Sequence, residues 1–132
     1  MTRAERAAQI WPLLCYCAMH RQTLSYDLLS RLIGVPRVGL GQLLEPIQSF
    51  CIINDLPPLT SIVVSQDTGI PGEGFIAAAD VPRAHEQVFA FDWLNARVPS
   101  PDELKDAAKQ LPSSSRPLHQ LLQEVGRGKQ ER

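Results

Sequence analysis

Cysteine is scarce in this chain, and Cys15, Cys17 and Cys51 are odd in number, so no disulfide framework can be read from them. Cys15 and Cys17 form a C-x-C pair with neither a second pair nor neighbouring histidines, a spacing too thin for a structural zinc site. The expectation is three buried thiols in a reducing compartment. The start, Met1-Thr2-Arg3-Ala4-Glu5, lacks the basic, apolar and small-residue succession of a secretory leader. No uninterrupted apolar run approaches the roughly 18 residues of a membrane span. Both absences predict a cytoplasmic protein that does not enter a membrane. There is no phosphate-cradling glycine loop of the nucleotide-hydrolase kind, and no internal repeat. His20, His85 and His119 are dispersed, with no second catalytic residue at a telling offset, and fit surface or helix-end positions. Asp102, Glu103 and Asp106 are explained by helix capping and solvation, not by a metal. The sequence thus predicts neither an enzyme nor a cofactor.

An excess of one charge sign is also missing. The net charge is −1, yet it is unevenly spread: residues 1–37 hold five basic and two acidic side chains, residues 38–110 four and ten, residues 111–132 four and two. A protein that grips duplex DNA unaided carries a broader positive surface, because neutralised phosphates supply most non-specific affinity.

What is present suits one folded core. The length of 132 residues fits a single domain, and the 44% hydrophobic and 20% charged fractions are those of a folded protein. Eleven prolines should shorten helices and mark turns. Thr2 and Glu5 have the spacing of a capping box, opening a helix from about Arg3 to His20 with Ala7, Ile10, Leu14, Cys17 and Ala18 inward. Pro12 should kink or restart it. Ser25 is the N-cap of a helix Tyr26–Ile33, buried through Leu28, Leu29, Leu32 and Ile33 and stopped by Gly34. After Val35-Pro36 another helix begins near Arg37, with Leu40, Leu43, Leu44, Ile47 and Cys51 inward and Pro46 bending it.

Leu59 to Ser65 reads as a strand, Gln66 to Gly69 as a turn, and Ile70 to Phe75 as an extended return, which makes a wing. Asp80 and Pro82 start a helix running to Trp93-Leu94, and the capping box Ser100-Pro101-Asp102-Glu103 starts one ending near Gln110. Pro117–Val125 is a short amphipathic piece before a mildly basic tail. The fold class expected is mainly α with a small β wing: a winged helix-turn-helix-like unit over 1–98, including an N-terminal support helix, and a helical appendage with a flexible tail over 99–132.

The run Ser25-Tyr26-Asp27-Leu28-Leu29-Ser30-Arg31-Leu32-Ile33-Gly34-Val35-Pro36, then Leu40-Gly41-Gln42-Leu43-Leu44, then Pro58-Leu59-Thr60-Ser61-Ile62-Val63 and Gly72-Glu73-Gly74-Phe75 carry a resemblance. Over about fifty residues this stretch resembles the DNA-binding domain of the O6-alkylguanine-DNA alkyltransferases and alkyltransferase-like proteins. The resemblance implies a winged helix in which Tyr26 matches a tyrosine that approaches the DNA backbone. Arg37 is available for the role of the family's arginine finger, although counting back from Gly41 aligns Val38 with it. Leu59 stands where the family has its alkyl-accepting cysteine, with Thr60 and Ser61 in place of the histidine and arginine that follow, so no thiolate is available there.

Two functions are expected as alternatives. The first is a non-enzymatic module binding double-stranded DNA through Tyr26, Arg37, Gly39, Gln42, Gln66 and Thr68. Gly39 permits close backbone approach at a helix start suited to a phosphate, and Gln42 is able to read an adenine edge. The second is a protein-interaction module, an inhibitor, immunity factor or assembly subunit, whose acidic central region meets a partner. The position of the acids relative to Arg37 discriminates between them.

Overall fold

Local caps set the element order, and each is visible in the computed structural model, which describes residues 1–72 and 80–112. Helix α1 spans Arg3–Met19; the Glu5 amide donates to Thr2 Oγ1 at 3.1 Å while Glu5 Oε1 accepts from the Thr2 amide at 3.2 Å. Pro12 lies on its exposed side, where a freed carbonyl can meet water, and α1 runs through it as one element without the expected restart. Helix α2 spans Tyr26–Ile33, with Ser25 Oγ accepting from the Leu28 amide at 3.1 Å and Gly34 closing it at φ 71°. A 3-10 turn, Arg37–Gly39, leads into α3, Leu40–Ile53, which carries Pro46 internally. Helix α4 is Val81–Ala90, capped by Asp80, and α5 is Pro101–Gln110, capped by the Ser100–Glu103 box.

The β content is a single two-stranded parallel ladder among the described residues: β1, Leu24–Ser25, against β2, Val63–Val64, with Leu24 opposite Val63 and Ser25 opposite Val64. The chain is therefore mainly α with a small β element. The strand expected over Leu59–Ser65 shrinks to those two residues. Pro58 starts a 3-10 turn, Leu59–Ile62, in which the Ser61 amide donates to the Pro58 carbonyl at 2.9 Å. Beyond β2 the chain closes a tight turn, Ser65 to Ile70, through two 2.8 Å backbone bonds with Gly69 at φ 69°. The part of the expected wing at 73–75, and the expected Pro117–Val125 piece and tail, lie outside the described residues.

Trp11, 2% exposed, is the centre of the core. It meets Phe50 of α3 edge-on at 5.6 Å and Trp93 edge-on at 5.8 Å. Ile10, Leu14, Leu29, Leu40, Ile47, Leu59, Ile62 and Leu104 are fully buried around it. Helix α4 ends at Ala90, short of the expected Trp93-Leu94, because Phe91 turns extended and the Trp93 indole N–H folds back to the Val88 carbonyl at 2.8 Å. Helix α5 belongs to this same core through Leu104 and Ala107, and Ser49 Oγ donates to the Leu111 carbonyl at 2.6 Å. Its packing is that of a core element, in contrast to the appendage expected from residue 99 onward.

Two inward faces need correction. On α2 only Leu29 is buried, with Tyr26 and Ile33 packed partly against the core, whereas Leu28 and Leu32 are 47% and 55% exposed. Cys17 is half-buried, unlike Cys15 and Cys51. The expected face of α3 is buried at Leu40, Leu43, Leu44, Ile47 and Cys51. Among the described residues no helix is long and apolar enough to cross a membrane.

Leu104→Ala tests the place of α5: removing a fully buried leucine should cost about 2–5 kcal/mol in urea denaturation followed by tryptophan fluorescence. A change under about 0.5 kcal/mol, as at a surface site, would mean that α5 is peripheral.

Candidate functional site

Except for Gln42, the residues singled out for ligand contact lie on α2, the turn into α3 and the turn after β2. Tyr26, first residue of α2, is half-buried, and its hydroxyl accepts a bond from the Gly72 amide at 2.9 Å. The approach is close: a Cβ on Gly72 would stand 2.7 Å from Tyr26 Oη, so a larger residue there would have to push the Tyr26 side chain aside. The Arg37 guanidinium lies over the Tyr26 ring, 5.8 Å from its centroid, and its Nη1 is 3.3 Å from Asp27 Oδ1. Both partners of that ion pair are about half exposed, so it is worth at most about 1 kcal/mol. Its geometric effect is larger, since it lays Arg37 back along the first turn of α2.

The structure thus brings Tyr26 and Arg37 together and ties both to the turn after β2 through Gly72. Gln66 and Thr68 are exposed on that turn, where Thr68 Oγ1 accepts from the Ile70 amide at 3.3 Å. Gln42 is separate: its side chain is exposed, and its carbonyl accepts from Arg3 Nε at 2.7 Å, tethering the start of α3 to α1. Gly39 has a packing reason, because a Cβ would meet Val35 Cγ1 at 3.3 Å; a Cβ at Gly41 would meet nothing within 4 Å among the described residues.

Acids accompany the arginines of this edge. Asp27 is bonded to Arg37, Asp67 is exposed on the turn after β2, and Glu45 stands 3.5 Å from Arg3 beside Gln42. Sequence reasoning missed the apolar component. Leu28 and Leu32 stand one helical turn apart on the outer side of α2, Val38 is 93% exposed on the turn into α3, and Ile70 is 52% exposed. The Leu28–Leu32 spacing was a usable signal, but it competes with Leu29–Ile33 for the inward role.

Leu59, Thr60 and Ser61 are buried together in the core, so position 59 offers neither a nucleophile nor access. Among the described residues the Thr60 and Ser61 hydroxyls have no hydrogen-bond partner, and His85 Nε2 lies 2.7 Å from the Ser61 carbonyl. Burial pushes the Cys15 and Cys51 thiols up to about 12 and raises that of Cys17. Among the described residues no group of three metal-ligating side chains is gathered. Comparison with protein-family models, with curated proteins and with solved structures gives no match to this chain.

Tyr26→Phe should lower stability by about 1 kcal/mol and speed hydrogen exchange at the Gly72 amide, measured by urea denaturation and NMR. Iodoacetamide at pH 8 should label Cys17 first, with Cys15 and Cys51 labelled only on unfolding, as read by peptide mass spectrometry.

Proposed function

We propose that this chain is a non-enzymatic protein-interaction module, an inhibitor, immunity factor or assembly subunit, that receives a partner on the outer side of α2 and the turn into α3. The observation that carries this reading is the outward set Leu28, Leu32 and Val38 beside Arg37, which is already paired with Asp27. An edge with Arg31 and Arg37 balanced by Asp27 and Asp67 supplies little attraction for a phosphate backbone. Desolvating an apolar face against another protein is favourable at about 25 cal/mol per Å². A cytoplasmic setting fits the three free thiols.

Duplex DNA is the second reading. One observation favours it: among the described residues α3 begins without a side-chain cap, at Gly39, with Gly41 and Gln42 exposed in its first turn, an arrangement open to a phosphate. The resemblance to alkyltransferase-like proteins supports this reading through Tyr26 and Arg37, but both side chains have internal partners that DNA contact would have to replace.

One pair of experiments separates the two. A triple variant, Leu28→Ser, Leu32→Ser and Val38→Ser, should keep the fold, since all three side chains are exposed, and should lose the complex that the native chain forms in a quantitative pull-down. Arg37→Ala should leave that complex within about threefold of native affinity, as expected for a solvent-screened rim charge. A salt-dependent shift of labelled random-sequence duplex, weakened by Arg37→Ala and indifferent to the triple variant, would sink the interaction reading in favour of DNA.

A further inference from the structure

We infer that a groove on another part of the molecule is a binding site for a small amphiphilic anion, an acidic head group on a short apolar body. The groove runs between the first turn of α1, Pro46 of α3 and one side of α5, and encloses about 660 Å³, within the range of ligand clefts. Its floor is made by Ala4, Pro46 and Ala108, all buried and apolar. The space exists because two of these are alanines: α1 and α5 pack through longer side chains elsewhere, at Ile10, Leu14 and Leu104, and stand apart where only a methyl group fills the gap.

Charge selects the sign of the ligand. Lys105 and Lys109 stand one turn apart on the α5 wall, both exposed and with no ion pair among the described residues. Two like charges at that spacing repel, and an anion between them and the floor relieves the repulsion. Of the other charges of the lining, Arg3 is paired with an acid outside it. Arg3 is engaged by Glu45 and the Gln42 carbonyl, and Glu5 by the Thr2 amide, whose bond is the first cause holding the Glu5 carboxyl below its ordinary value. Glu5 and Asp102 are the acids of the lining, each in the first turn of its helix, so the negative charge sits at the helix starts and the positive charge without an ion pair among the described residues lies farther along α5, at Lys105 and Lys109. A molecule that satisfies the site must therefore cover an apolar floor and present an anion toward Lys105 and Lys109. A neutral lipid meets only the first demand, and inorganic phosphate only the second.

The full chain, labelled with ¹⁵N, is titrated with octanoate, octyl phosphate, 1-octanol and inorganic phosphate and followed by NMR. Octanoate or octyl phosphate should move the amides of Ala4, Lys105 and Ala108 in a saturable, one-site manner, and should bind at least about tenfold more tightly than octanol or phosphate. Lys105→Gln with Lys109→Gln, exposed positions that leave the core untouched, should weaken octyl phosphate by about tenfold. The inference is overturned if octanol binds as well as the anions, if the double variant binds unchanged, or if neither anion shifts the groove. It is equally overturned if the shifts centre on Leu28, Leu32 and Val38. Because the groove and that outer side share no residue, failure here leaves the interaction reading standing, and the reverse holds too.

Discussion

Trp11 sets the constraint that the other elements answer to. An indole in the middle of the first helix has more surface than one neighbouring helix can cover, and it is enclosed from separate sides by Phe50 and Trp93, each edge-on. Phe50 requires α3 to run past α1 as one long element despite Pro46. Trp93 requires the chain to leave α4 at Ala90 and turn back, an irregular stretch made tolerable because the Trp93 N–H takes up the Val88 carbonyl that the truncated helix leaves free. Helix α5 then covers the remaining side with Leu104 and Ala107. What the sequence suggests are a support at one end and an appendage at the other are two walls of one core.

The parts of this arrangement legible in the sequence are those decided within four residues. Thr2 with Glu5, Ser25 with Leu28, Asp80 with Arg83 and Ser100 with Glu103 each satisfy helix-start amides locally, so spacing alone identifies them. The buried side of α3 was legible for another reason: fourteen residues give the apolar period enough turns to define a direction. Helix α2 has only eight, and in two turns the pairs Leu28–Leu32 and Leu29–Ile33 describe adjacent stripes of equal apolar weight. Tertiary packing chose the second. The run Leu59–Ser65 misled for a related reason: a short apolar β-branched stretch fits a strand or a buried turn, and the preceding Pro57-Pro58 pre-organised the turn.

The same distinction explains the candidate site. Resemblance over Ser25–Phe75 rests on prolines, glycines and apolar spacing, and these report where helices start, stop and bury themselves. Such punctuation can be shared by chains whose exposed side chains have nothing in common. Tyr26 and Arg37 were legible as a pair of interest, and they do meet, but the sequence could not say that Tyr26 would face Gly72 and Arg37 would face Asp27. Those partners are set by the return of the chain after β2, forty-six residues from Tyr26. Leu28, Leu32 and Val38 were invisible as surface residues because an apolar residue in a helical period is first counted toward the core.

The internal bonds of Tyr26 and Arg37 bear on what the edge can do. A face that binds by desolvation gains most when its side chains are already ordered, since ordering them on contact costs about 0.5–1.5 kcal/mol each. Leu28 and Leu32 sit on a helix fixed at one end by Ser25 and at the other by the left-handed Gly34, and the Ser30 hydroxyl donates to the Val35 carbonyl at 2.5 Å to hold the exit. Val38 is β-branched, with restricted χ1, on a 3-10 turn secured at Gly39. Arg37, bonded to Asp27 and laid over Tyr26, joins that turn to the first residue of α2, and Tyr26 in turn holds the Gly72 loop. The two residues that the motif order suggests as ligand contacts are, by geometry, engaged within the fold, Tyr26 by the Gly72 amide and Arg37 by Asp27. On the interaction reading proposed above, a partner would meet apolar side chains that need little further ordering, whereas on the DNA reading a phosphate would have to replace the Asp27 partner of Arg37.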